Sequence, residues 1–388
     1  MQRDDLLDAK ATAARLKISL RTLYAYVSRG KLGRTIDPET GLSLFSAREV
    51  ADFVMRRDRG KRPENVARAS LNYGLPVLES RISTVTGGRP TFRGRDAVAF
   101  SESASLEDAA ALLWDTEALP EVHPGELGDT LTMSAPYPDR LCGWLLAQAS
   151  VATRRDVWTR GEALSHASLI FTAAVAIAVR KPHWTGGAHR ALARLYGLDA
   201  AGGEILRRAL VLHADHELNT STFTVRCVAS TMANPYSAVL AGCCAIAGSR
   251  HANFDAAGRL IEEAARRRDL RKLVREFTES GRTVPGFGHP LYPSGDPRAH
   301  ALLDDLRRHS GGAGMELVDR IVQAVEQEQG VRPKNDFAVA AMSHVLSLPA
   351  DAGNTMFAVS RLVGWLAHAL EQYESPLLIR PRAHYAAR

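Results

Sequence analysis

The stretch Val284-Pro-Gly-Phe-Gly-His-Pro-Leu-Tyr-Pro-Ser-Gly-Asp-Pro-Arg298 reads as a loop that gathers a histidine, a carboxylate and an arginine within fifteen residues. Loops held by a rigid helical frame are where sites tend to be built. Working outward, the frame here is helical: Leu106–Thr116, Arg160–Arg180, Gly202–Leu212 and Ala256–Ser280 all carry helical apolar periodicity. Only Ser83–Phe100 invites strands, with Thr86-Gly-Gly-Arg-Pro90 as the turn. The spacing therefore predicts an all-α body.

Three further polar segments sit between the predicted helices. They are His213-Ala-Asp-His216-Glu217 with the following Ser221, Thr222 and Phe223; Gly248-Ser-Arg-His251 after the small apolar run Ala238–Ala247; and Pro333-Lys-Asn-Asp336-Phe337, which delivers one carboxylate at a helix start. Taken singly each has an ordinary reading. The His213/His216 spacing could suggest a metal, yet it lacks a general-base glutamate in the zincin position and a third ligand. Gly286 and Gly288 alone are a weak phosphate-loop signal, because no strand precedes them.

Their order is more specific. H-x-D-H-E, a histidine after a small-residue helix, P-G-F-G-H running to D-P-R, an aspartate in the P-N-x-D position, then Ser360-Arg361-Leu-Val-Gly364 and Arg380-Pro-Arg382, together resemble the citrate synthase family over about residues 70–388. The resemblance implies a citrate synthase-like fold with a large domain (70–254 and 346–388) and a small domain (255–345). It implies condensation of acetyl-CoA with oxaloacetate and hydrolysis to citrate and CoA, with propionyl-CoA (giving 2-methylcitrate) or another CoA thioester or 2-oxo acid as alternatives. The implied catalytic residues are Asp336 as base, His251 as donor to the enolate oxygen and His289 as donor to the oxaloacetate-derived alkoxide. His216, Arg298, Arg361 and Arg380 would bind oxaloacetate, Arg380 from across a homodimer interface, and Pro285, Gly286, Phe287 and Gly288 would contact CoA. No metal or other cofactor is implied. The chain departs from the family's pattern where L-H-G-G-A-N is replaced by Arg250-His251-Ala252-Asn253-Phe254-Asp255, where Pro293-Ser294-Gly295 precedes the D-P-R, and where Pro333-Lys-Asn-Asp336 replaces P-N-V-D.

The charge is unevenly distributed. Residues 1–62 carry 14 Lys/Arg against 8 Asp/Glu, whereas the remaining 326 carry 35 of each, so the whole net charge of +6 sits in one small segment. That asymmetry suggests a polyanion partner for this segment alone. A helix over Asp8–Leu16, a turn, and a second helix over Leu20–Ser28 capped by Ser19 describe a helix-turn-helix whose second helix exposes Arg21, Thr22, Tyr24 and Tyr26. Thr35–Phe45 suits a two-stranded wing, and Ser46-Ala-Arg-Glu49 a capping box opening a third helix that ends in Arg56-Arg57. Residues 1–60 resemble winged helix-turn-helix domains of the MerR and excisionase type, which implies possible DNA contact; a basic adapter packing on a neighbouring subunit is the alternative. Residues 61–69 are expected to form a linker. A DNA-binding regulator whose body has become a ligand sensor is the reading from a different functional class. Cys142, Cys227, Cys243 and Cys244 show no metal spacing and are expected to pack as small reduced hydrophobes. The longest apolar candidate, Ala167–Val179, is too short to span a bilayer and reads as a buried helix. No signal sequence is evident at Met1, so a cytoplasmic location is expected.

Overall fold

The computed structural model describes residues 6–16, 18–28, 31–37, 42–47, 49–50, 53, 78–125, 127–152, 155–248, 251, 253–309, 312–383 and 385. The chain divides into two compact units, Met1–Glu79 and Ser80–Arg388.

In the first unit, Asp8 caps α1 (Ala9–Leu16) by accepting the Ala11 N–H at 2.7 Å, and Ser19 caps α2 (Leu20–Ser28) through the Thr22 N–H at 3.1 Å. Leu16, Leu23, Leu32, Phe45 and Val50 form its core. The strand content exceeds the expected wing: β1 (Leu6–Asp8) and β2 (Thr35–Ile36) both pair antiparallel with β3 (Ser43–Ser46). Strands of two to four residues carry too little alternation to announce themselves in sequence. Tyr26 is not exposed as expected: its ring packs 5.3 Å from that of Phe53 and joins the core. Ser46 accepts the Glu49 N–H at 3.4 Å, but the Glu49 carboxylate turns away to the Gly33 N–H at 2.8 Å, so the capping box is only half formed. The wing turn at 38–41 and the Arg56-Arg57 end lie outside the described residues.

The second unit is mostly helical. A small antiparallel sheet, β4 (Ser83–Thr86), β5 (Arg89–Phe92) and β6 (Arg95–Asp96), opens it. It is followed by α3 (Ala97–Phe100), α4 (Leu106–Trp114), α5 (Tyr137–Val151), α6 (Arg160–Val179), α7 (Ala188–Leu195), α8 (Ala200–His213), α9 (Thr220–Ala229), α10 (Pro235–Ile246) and α11 (Phe254–Ala265). Then come α12 (Leu270–Glu279), α13 (Pro297–His309), α14 (Ala313–Gln329), α15 (Asn335–Val345) and α16 (Ala352–Tyr373). The apolar helix α6 starts in a complete capping box between Thr159 and Glu162, ends on Arg180 in the left-handed conformation, and is mostly buried. The single helix expected over Ala256–Ser280 is instead α11 and α12. Asp269 caps the second by accepting the Lys272 N–H at 3.0 Å, and Arg267 in the turn bridges Glu263 and Glu276 at 2.8 and 3.3 Å. Continuous apolar periodicity had concealed that N-cap. Among the cysteines, Cys243 is buried but Cys244, next on α10, faces outward.

Helix α16 is buried along nearly its whole length and carries the frame of the site. Its Gly364 N–H donates to Ala214 O at 2.9 Å, and a Cβ there would come within 3.0 Å of both that carbonyl and the Asp215 carboxylate. Gly364→Ala is therefore expected to cost about 2 kcal/mol through overpacking against backbone that has nowhere to retreat. The urea midpoint measures it; an unchanged midpoint would mean the 214–215 segment yields freely.

Candidate active site

The end of α8 turns sharply through Ala214–Asn219, with Glu217 in a left-handed conformation (φ 50°). The β4 strand staples this turn. The Ser83 hydroxyl donates to Asp215 Oδ2 at 2.5 Å and accepts the Glu217 N–H at 2.9 Å, while Glu217 accepts from Thr84 Oγ1 at 3.2 Å and from the Val85 N–H. Asp215 is buried with His368 Nε2 3.2 Å from Oδ2. Burial would raise its carboxyl, but His368, Arg361 and Ser83 outweigh that and hold it below the ordinary range.

This turn presents His216 half-buried, with Nε2 2.8 Å from the Tyr292 hydroxyl. The His216 ring lies edge-on to His289, 5.6 Å between centroids, and Tyr292 stacks 5.0 Å from His289. The Leu291 N–H donates to His289 Nδ1 at 3.1 Å. In the neutral imidazole that leaves the proton on Nε2, the arrangement a hydrogen-bond donor to a developing oxyanion needs.

The loop carrying His289 is braced on the loop carrying Asp336. Gly288 N–H donates to Arg332 O and Lys334 N–H to Gly286 O, both at 2.9 Å, and Phe287 and Phe337 stack 4.6 Å apart. Gly286 has φ +83° and a Cβ there would strike Phe337, so glycine is required on both counts. Asp336, in the first turn of α15, accepts an ion pair from Lys334 at 3.0 Å.

Two arginines face this group with different obligations. Arg298 is committed: Nε and Nη2 bond the two oxygens of buried Asp296 at 3.0 and 2.8 Å, and its guanidinium lies 5.4 Å from the Tyr292 ring. Arg361 is not. It is 2% exposed, lies 5.0 Å from the Phe357 ring, and its Nε and Nη1 have no hydrogen-bond partner; burial lowers it to about 10. A buried cation with unmet donors is costly unless an anion completes it.

His251 completes the cluster. Its Nε2 lies 3.0 Å from Ser221 Oγ, which also accepts Trp365 Nε1–H at 3.1 Å and donates to Asn219 Oδ1 at 2.7 Å. Because the single Ser221 hydrogen goes to Asn219 Oδ1, the contact with His251 is one that Ser221 accepts, and the neutral imidazole carries its proton on Nε2. The structure thus brings together His216, His251, His289, Asp336, Arg298 and Arg361. Arg380 lies outside the group, exposed on the C-terminal segment anchored by Gln372 Nε2–H to Leu377 O and Ile379 N–H to Ser230 Oγ. Tyr292, Ser221, Asp296 and Lys334 enter the site although sequence reasoning assigned them no role; Tyr292 and Asp296 lie inside the fifteen-residue stretch itself. Among the described residues no three His, Cys, Asp or Glu side chains converge as metal ligands, and His213 and His216 turn Nε2 to Asn335 and Tyr292.

All four histidines are pushed down, chiefly by burial: His213 to about 3, His251 and His289 to about 4, and His216 well below its ordinary value. Nearby arginines reinforce this, Arg361 for His251 and Arg298 for the others. Below pH 6.5 the unfolded chain takes up protons that the folded chain refuses until about pH 4. Their contribution to stability is complete above pH 6.5 and is lost as pH falls through that window. The urea midpoint should drop steadily from about pH 7 to 5, each refused proton costing about 1.4 kcal/mol per pH unit. A flat midpoint would mean that the histidines titrate normally when folded.

The sequence profile described as the C-terminal domain of citrate synthase matches residues 147–382. The chain is 29% identical over 349 residues to citrate synthase 2 of Bacillus subtilis, covering 80% of this chain and 94% of that protein. It is 39% identical over 188 residues to the citrate synthase of Haloferax volcanii (47% and 50% covered), and 29% identical over 326 residues to 2-methylcitrate synthase 1 of Corynebacterium glutamicum (80% and 81%). The solved ternary complex of Thermoplasma acidophilum citrate synthase with carboxymethyl coenzyme A and oxaloacetate shares its fold, with TM-score 0.70, 21% identity and coverage of 81% of this chain and 94% of that one.

Proposed function

The chain belongs to the citrate synthase family, and from that premise we propose that it condenses the enolate of an acyl-CoA with oxaloacetate and hydrolyses the product to free CoA and citrate or 2-methylcitrate. The observation that carries this reading is the buried Arg361 guanidinium with two unmet donors, beside neutral imidazoles and a carboxylate. A dicarboxylate supplies what Arg361 lacks, and planar bidentate pairing is what guanidinium does best.

In this mechanism Asp336 takes the proton from the carbon next to the thioester carbonyl, and His251 turns its N–H from Ser221 to the enolate oxygen. The carbanion attacks the ketone of oxaloacetate. His289 Nε2–H meets the alkoxide, a donor held ready where charge develops. Arg361 holds an oxaloacetate carboxylate through its unmet donors, Arg298, whose Nε and Nη2 Asp296 keeps, lends its charge with His216 beside it, and Arg380 joins from a second copy in a homodimer. Water then cleaves the thioester. Proton transfers and carbon–carbon bond formation complete the sequence, so substrates suffice without a cofactor. The Pro285–Gly288 loop contacts CoA, with residues 255–345 as a small domain that closes on the rest.

Thiol release by purified protein, with oxaloacetate and either acetyl-CoA or propionyl-CoA, tests the reading. Oxaloacetate-dependent release supports it and the faster donor names the product. No release with either donor in a protein that binds oxaloacetate overturns it and favours the sensor reading. For residues 1–60 we propose a winged helix-turn-helix that meets DNA. The basic excess of that segment and the exposed Arg21 and Tyr24 on α2 support it. Duplex binding that weakens steeply with salt is the expected result.

A further inference from the structure

The oxaloacetate-binding turn and the base lie on segments far apart in sequence, and one buried hydrogen bond joins them directly. His213, the last residue of α8 and three before His216, places Nε2 2.5 Å from Asn335 Nδ2, and Asn335 immediately precedes Asp336 at the start of α15. Both side chains are buried. The direction of the bond follows from chemistry. His213 Nδ1 sits 2.5 Å from Ala209 O, a carbonyl that can only accept, so Nδ1 carries the proton. In the neutral ring Nε2 must then accept, and Asn335 must offer its Nδ2–H; its Oδ1 correspondingly has no partner. Burial, which pushes His213 down to about 3, keeps that polarity unchanged at any working pH. The same asparagine is tied a second time: its backbone N–H donates to Asp296 Oδ2 at 3.2 Å, and Asp296 holds Arg298.

We propose that His213 and Asn335 are a positioning pair, through which the oxaloacetate half of the site fixes the approach of the Asp336 base. This rests on the condensing-enzyme reading above. Lys334 has no side-chain cap to offer α15, so the helix start that carries the base is set by tertiary bonds: Lys334 N–H to Gly286 O, Asn335 N–H to Asp296, and the Asn335 amide to His213. The last alone connects it to α8. Removing it leaves the Asp336 carboxylate intact but its register against bound oxaloacetate unfixed, which affects turnover more than binding.

The test uses the full chain with three variants and their combination. His213→Phe removes the acceptor and Asn335→Leu the donor. His213→Gln can still accept from Asn335 through Oε1 and donate to Ala209 O. Each of the first two should lower kcat on the order of 10- to 100-fold. The oxaloacetate KM should move by no more than about threefold. The double variant His213→Phe/Asn335→Leu should be no worse than the poorer single, because the bond can be lost only once. His213→Gln should recover most of the loss. Full kcat in either folded single, losses that multiply in the double, or a loss confined to oxaloacetate KM would overturn the proposal. Should His213→Phe not fold, Asn335→Leu and His213→Gln decide it. Nitrogen NMR of His213 gives a readout without catalysis: a proton on Nδ1, and an Nε2 resonance that shifts in Asn335→Leu. A wild type that releases no thiol would defeat the functional reading, while that resonance would still decide the pair; an Nε2-protonated ring would defeat the pair alone.

Discussion

Asp336→Asn is expected to lower thiol-release turnover by roughly 10³-fold while oxaloacetate still binds, as measured by calorimetry. The amide keeps the size and planarity of the carboxylate but cannot take a proton from carbon. The neighbouring carboxylates are committed elsewhere: Asp215 to Ser83 and His368, Asp296 to Arg298, and Glu217 to Thr84 and the Val85 N–H. The fold should be little affected, because the ion pair that Asp336 makes with Lys334 is partly exposed and such pairs contribute at most about 1 kcal/mol. Near wild-type turnover in the variant would remove Asp336 as the base.

Arg361→Met should separate stability from function. The buried guanidinium lowers stability until an anion reaches it, since its Nε and Nη1 are stripped of water and unpaired. A methionine keeps the stem against Phe357 and removes the charge, while Asp215 retains Ser83 and His368. The melting temperature of the free protein should rise by about 2–4 °C per kcal/mol gained. Oxaloacetate affinity should fall on the order of 10²-fold or more, the usual consequence of deleting one member of a buried charge pair. A variant that is less stable and binds oxaloacetate normally would show that Arg361 is a structural cation and that the dicarboxylate lies elsewhere.

How much of this was legible in sequence depends on the range of each interaction. Helices α4, α6 and α8 were legible within about two residues, because apolar spacing is local. The division of Ala256–Ser280 was missed for the converse reason: periodicity runs on across 266–269 while the Asp269 cap interrupts the backbone. Candidate histidines and arginines were legible from the order of their motifs. Their helpers were less so, since Tyr292 earns its place only by meeting His216, 76 residues away, and Ser221 by meeting His251 and Trp365.

By itself, the sequence determined a mainly helical body, the confinement of the basic excess to the first 62 residues, and the family to which the body belongs. These follow from local periodicity, composition and motif order, which need no partner across the chain. Only the tertiary structure decided which arginine is braced by a carboxylate and which has unmet donors, which ring nitrogen of His213 and His289 carries the proton, and which residue ties Asp336 to the opposite half of the site. Arg298 and Arg361 are the same residue type on helices, and what distinguishes them is Asp296 beside one and unpartnered donors on the other. Each assignment depends on a carbonyl, carboxylate or N–H within about 3 Å. The bond between His213 and Asn335 closes 122 residues of chain, a distance over which periodicity carries no information and burial and packing alone choose the neighbour.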